Sequence, residues 1–138
     1  MKKFFLLFAA AFTVLAACNS NDTNDDPQLT PSPFAGTFNG LYTLTTTAQP
    51  QGKPATVIVS DNPDGSLHFA LSVDGQTANL TASLNGEKIV FDQQPIFGTN
   101  YTGYGEMPAT DHLHLSFTSV PGSGSVTEMS VYEFQGNR

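Results

Sequence analysis

From Ala35 onward the chain alternates apolar and polar residues with a period of two, broken at near-regular intervals by turn dipeptides. That pattern constrains the fold more than any other feature, because alternate residues of a strand face opposite sides. Leu67, Phe69, Leu71 and Val73 share one phase, with His68, Ala70 and Ser72 on the other. Asp74-Gly75 then reads as a two-residue hairpin turn. Ala78, Leu80, Ala82 and Leu84 alternate with Thr77, Asn79, Thr81 and Ser83, and Asn85-Gly86 reads as a second type I′ turn before Ile89 and Phe91.

The remaining segments extend the pattern. Phe38, Tyr42 and Leu44 share a phase, Thr56 to Ser60 is a β-branched run, and Leu113, Leu115 and Phe117 alternate with His112, His114, Ser116 and Thr118. Gln49 to Pro54 and Pro95 to Gly98 read as links, and Met107 to Asp111 as a turn. Gly103 and Gly105 predict sharp strand bending. The phase of the last segment, Val126 to Phe134, is ambiguous, with Val126, Tyr132 and Phe134 competing against Met129 and Val131. These elements predict an all-β fold of eight short antiparallel strands joined as successive hairpins. One face is packed and the other wet, as in a soluble up-and-down barrel or half-barrel. The inward phase would hold Phe38, Tyr42, Phe69, Leu71, Leu80, Phe91, Leu115 and Phe117.

The N-terminus is different in kind. Met1-Lys2-Lys3 is positive and Phe4 to Val14 is a short apolar run, well under the roughly 20 residues of a spanning helix. This is the pattern of a secretory signal peptide. Leu15-Ala16-Ala17-Cys18 resembles a bacterial lipobox, which implies cleavage before Cys18 and acylation of its thiol. Cys18 is the only cysteine of the chain, so no disulfide supports the fold. Asn19 to Asp26 is acidic and polar, and resembles the export tether that follows the lipidated cysteine in surface lipoproteins of the Bacteroidota. Pro27, Pro31 and Pro33 stiffen that tether. The expected organisation is a signal peptide at 1–17, a lipidated tether at 18–33 and one domain at 34–138.

The stretches "FAGTFNGLYTLT", "ATVIVSDNPDGSLHFAL" and "NYTGYGEMPATDHLHLSFT" resemble the calycin-like, or lipocalin-like, small lipoproteins of Bacteroidota. The resemblance implies a small β-barrel anchored by lipid at the outer membrane. Cell-surface exposure is expected, with the periplasmic face as the alternative. Gly36-Thr37-Phe38 stands where calycins carry G-x-W, and the chain has no Trp.

Removal of the signal leaves Lys53, Lys88 and Arg138 against twelve acids, a balance that disfavours nucleic acid and anionic lipid as partners. The domain itself is expected to be monomeric. No catalytic constellation can be assembled: there is no nucleophile elbow, Gly122-Ser123-Gly124-Ser125 reads as a loop, and Asp61, Asp64 and Asp74 sit at turns. The expectation is a non-enzyme without cofactor. His112 and His114 have metal-like spacing on one strand face, with Asp111 beside them and His68 on another strand, but no third ligand for a zinc site is evident. The binding candidates are Phe97, Tyr101 and Tyr104, aromatics in a glycine-rich setting that suits carbohydrate stacking or a protein contact, with a small apolar molecule or a glycan at the barrel mouth as the expected ligand. The alternative is an accessory subunit or inhibitor that docks on an envelope or secreted protein with its barrel filled.

Overall fold

The computed structural model describes residues 31–45, 49–121 and 129–138. They form a closed barrel of eight antiparallel strands in sequence order. The strands are β1 (Gly36–Leu44), β2 (Gly52–Asp61), β3 (Leu67–Val73), β4 (Gln76–Asn85), β5 (Lys88–Ile96), β6 (Thr99–Ala109), β7 (His112–Ser119) and β8 (Val131–Asn137). Closure is made by β8, which pairs with both β7 and β1. Apart from that β1–β8 closure, every neighbour in the sheet is also a neighbour in sequence, as short hairpin connections dictate.

The apolar phase of each strand faces inward. All eight residues assigned to it from the sequence are buried, from Phe38 at 0% exposure to Tyr42 at 7%. Phe91 packs edge-on against both Phe69 and Phe117, with centroids 4.9 and 5.1 Å apart. Aromatics of this size fill an eight-stranded interior. The outward phase carries Thr77, Asn79, Thr81 and Ser83 on β4, the reverse of a lipid-facing barrel wall. No helix among the described residues is long and apolar enough to cross a membrane.

Parts of the segments read as links or turns are strand, while the residues at 49–51, 97–98 and 110–111 stay outside the strands. Pro54 lies within β2 opposite Leu41, Pro95 within β5 opposite Asn100, and Pro108 within β6. Each sits where one side of the ladder has lapsed. Pro54 is beyond the last β2–β3 pair, Ala55↔Val73. Pro95 is beyond the last β4–β5 pair, Ser83↔Val90. Pro108 falls in the register shift between Glu106 and Ala109. A strand tolerates a residue without an N–H where no partner needs one.

The turn after β4 also differs by one residue from the sequence reading. Asn85 pairs with Lys88, so the turn residues are Gly86 and Glu87, with Gly86 at φ 65°. Glycine in that first position suits a type II′ rather than a type I′ turn. Leu84, at the strand end, is 38% exposed rather than in the core.

On β8 the ambiguity resolves: Phe134 is fully buried, Tyr132 packs partly buried against the core, and Met129 is exposed. Val126 and the Gly122–Ser125 loop lie outside the described residues, as does Cys18.

Gly103 and Gly105 make room across the sheet. A Cβ on Gly103 would come within 2.7 Å of the Phe117 ring, and one on Gly105 within 2.5 Å of a Leu115 methyl. The glycines give cross-strand partners room to lie over the sheet.

The two ends of the barrel are finished differently. At the end where β1 begins, Phe34 is buried beneath the chain and the Arg138 guanidinium lies 4.9 Å over the Phe38 ring. The Arg138 side chain donates to the Pro33 carbonyl, and its amide donates to the Asp111 carbonyl at 2.9 Å. The Ser32 amide donates to the Asp61 carboxylate at 2.9 Å. Both ends of the domain therefore tie this end shut.

Candidate functional site

Among the described residues, the opposite end is open. There the inward phase of the strands changes character. On β2 the inward series Val59, Val57, Ala55 continues to Lys53, and on β4 the series Leu80, Ala78 continues to Gln76. On β6, Tyr101 is followed toward the rim by Thr99. On these three strands apolar residues give way to polar ones toward the mouth, while Val73 and Ile96 keep the ends of β3 and β5 apolar there.

The result is a cup of about 740 Å³ above the packed core. That is within the range of small-molecule sites, about 300–1,000 Å³. Its floor and walls are Tyr42, Tyr101, Tyr132, Ile96 and Val73, and its rim includes Phe97 and Lys53. Gln49, Gln51 and Gln76 add amide groups around the edge.

The three tyrosines form one cluster. Tyr42 and Tyr132 stack with centroids 5.1 Å apart and planes 8° from parallel, while Tyr101 meets Tyr132 edge-on at 5.8 Å. Burial raises the pKa of the Tyr42 phenol far above its ordinary value, and the neighbouring Tyr101 and Tyr132 phenols push the same way. Tyr101 is raised too, first by burial and then by Tyr132. Phenols held protonated are hydrogen-bond donors as well as ring surfaces.

Lys53 lies on the inward phase and is the one cation among the described residues that line the cup. Its ammonium is 2.6 Å from the Asp74 carboxylate, and both side chains are more than half exposed. The hydrogen bond to Asp74, and then that group's charge, raise the Lys53 pKa. Asp74 itself is the first residue of the Asp74-Gly75 turn, at φ 49° with Gly75 at 78°. Asp, Asn and Gly are the residues such a turn favours.

Phe97 occupies the equivalent place in the next mouth turn, Phe97-Gly98, at φ 48° with Gly98 at 87°. For a bulky residue that backbone conformation is a true outlier. Its ring is 40% exposed at the rim. Turn chemistry does not select a phenylalanine here.

Of the binding candidates, the structure brings Phe97 and Tyr101 together at the mouth. Tyr104 faces outward on β6, 54% exposed, and belongs to no part of the cup. The sequence reading missed Tyr42 and Tyr132 as site residues because an inward tyrosine counts as core until the height of the barrel is known. It missed Lys53 because Gln49 to Pro54 read as a link. Counting the inward phase of β2 back from Val57 would have found it.

The histidines stand apart on the outer wall. His112 Nδ1 is 2.6 Å from the Asn137 side-chain oxygen. His114 lies between Glu106 and Glu133, at 3.6 and 3.9 Å. Among the described residues, no group of three or more His, Cys, Asp or Glu side chains is arranged to hold a metal ion.

No protein-family model and no curated protein matches this chain. Among solved structures, the chain is similar to a protein of unknown function of the DUF3598 family from Nostoc punctiforme, with a TM-score of 0.53 and 16% identity. The superposition covers 77% of this chain and 47% of that one, so the chain spans about half of that protein's length. At such identity the likeness concerns the barrel fold alone.

Proposed function

We propose that this protein is a non-enzymatic binding protein of the outer envelope, lipid-anchored through Cys18, whose barrel mouth holds a small ring-bearing apolar molecule. The observation that carries the reading is the tyrosine-floored cup over an otherwise packed interior. Phe97 supports it. A ring kept at the rim in a conformation costing about 1–3 kcal/mol is what a retained ligand contact would leave in a turn. The tie of residues 32–36 to the closed end accords with the reading as well. A tether from Cys18 would join the domain at that end, opposite the mouth.

The alternative, a filled barrel that docks on a protein partner, expects an interior packed to the rim, and the cup weighs against it. The test is calorimetric titration of the intact lipoprotein in nanodiscs with 2-naphthylmethanol and 2-naphthoate, with empty nanodiscs subtracted. Saturable one-to-one binding that Thr99→Trp abolishes is the expected result. Signals no larger than those of empty discs, unchanged by Thr99→Trp, would refute the binding role of the mouth.

A further inference from the structure

We infer that the mouth selects a carboxylate on its ring-bearing ligand, and that Lys53 takes that carboxylate by exchanging it for Asp74. The inference rests on the mouth being a binding site and names the chemistry it recognises.

The starting point is the placement of Lys53. It continues the inward series of β2 above Ala55, so the strand itself carries its stem over the cup rather than away from it. No other Lys, Arg or His among the described residues lines the cup. An ammonium has three donors and no acceptor, and the hydrogen bond to Asp74 uses one of them.

Asp74 is the second observation. Its turn needs a residue that tolerates positive φ, and asparagine or glycine would serve as well as aspartate. The backbone therefore accounts for a small polar residue at 74 but not for its charge. The charge has one described partner, Lys53 at 2.6 Å. An exposed pair of this kind contributes little to stability, because water and salt screen it. What it does accomplish is to fix the ammonium at the rim and neutralise it there while the cup is empty.

A ligand carboxylate entering beside Tyr101 and Val73 meets a drier setting than Asp74 does. Charge-assisted hydrogen bonds gain as water is excluded, so the exchange favours the ligand once its apolar body fills the cup. The Gln51 and Gln76 amides line the same cup and supply further donors for the second carboxylate oxygen. No bond is made or broken in the exchange. Asp74 moves to water, where an exposed carboxylate is fully solvated.

The pair of probes that differ only in charge separates this claim from the binding role itself. The intact lipoprotein in nanodiscs is titrated at neutral pH with 2-naphthoate and with 2-naphthylmethanol. Wild type is expected to bind the carboxylate about tenfold more tightly, the scale of one charge-assisted hydrogen bond. Lys53→Met keeps the aliphatic stem and should erase that preference, bringing the ratio of the two affinities to about one. Asp74→Asn preserves the turn and frees the ammonium, so it should tighten naphthoate severalfold and widen its advantage over the alcohol. Equal affinity of the two probes for wild type overturns the carboxylate inference and leaves the mouth as a binding site. Asp74→Asn weakening naphthoate as Lys53→Met does would also overturn it, since the pair would then act as one unit. Absence of binding by both probes defeats the mouth reading instead.

Discussion

The two ends of this barrel are built from the same strands and finished by opposite means. At the closed end, Phe34 is buried, Arg138 lies over Phe38, and residues from both termini hydrogen-bond across the opening. At the mouth the inward phase turns polar on β2, β4 and β6, a phenylalanine is held at positive φ, and β4 and β5 part company. The closed end spends its side chains on burial, while the mouth keeps groups that local turn and packing preferences do not explain. A region that departs from local rules without a structural return is where function is to be sought.

The largest expected effect breaks the closed end. Phe38→Ala removes a fully buried ring and its cation–π partner, and should cost about 3–5 kcal/mol in denaturant unfolding. Tyr132→Ala at the mouth should cost less, about 1–2 kcal/mol, because its ring is only partly buried. If the mouth substitution proves the costlier one, the contrast between the ends is wrong.

The seam between β4 and β5 sharpens the picture. Only Ser83↔Val90, Leu84↔Ile89 and Asn85↔Lys88 are paired, and toward the mouth a side chain replaces the ladder. The Thr81 amide donates to Gln94 Oε1 and Gln94 Nε2 donates to the Thr81 carbonyl, each at 2.8 Å. The Gln94 amide thus imitates a strand residue across the gap. Gln94→Ala should cost about 1 kcal/mol and accelerate hydrogen exchange at Thr81 more than at the closed end. Uniform exchange rates in that variant would show that the seam is not a local weak point.

Phe97→Asn is a smaller change of the opposite sign. Replacing the ring by a residue suited to positive φ should raise stability by about 0.5–1 kcal/mol while weakening probe binding. A variant that is both less stable and unaltered in binding would remove Phe97 from the site.

The tyrosine cluster adds a pH dependence confined to the alkaline side. Burial holds the Tyr42 proton in the native state past the pH at which the unfolded chain releases it. Stability from this source is complete below about pH 10 and falls as the pH climbs higher, because the native state then binds more protons. Urea midpoints measured from pH 9 to 11 should decline in wild type and decline less in Tyr42→Phe.

Much of the architecture could be read from residues whose local chemistry and tertiary role agree. Asp74-Gly75 is a turn by preference and a turn in the barrel. Leu67 to Val73 alternates in sequence and in burial. Pro54 and Pro95 misled because a proline marks a link locally, whereas here each lies where a neighbouring strand has ended its pairing. That condition is set by strands far along the chain. Phe97-Gly98 was legible only as part of the Pro95 to Gly98 link and not as a two-residue turn, since its first residue is not one that turn chemistry selects. At the site, Phe97 and Tyr101 were legible as aromatics in a glycine-rich setting. Tyr42, Tyr132 and Lys53 were not, because their role depends on height along the barrel axis rather than on inward or outward phase.

The central claim is that the mouth, and not the outer wall, receives the ligand. The chain has four tyrosines, three in the cup and Tyr104 outside it, so fluorine NMR of the 3-fluorotyrosine-labelled lipoprotein reports on both places at once. Titration with 2-naphthoate should shift the signals of Tyr42, Tyr101 and Tyr132 together and leave Tyr104 in place. A shift confined to Tyr104, or none at all, would contradict the account.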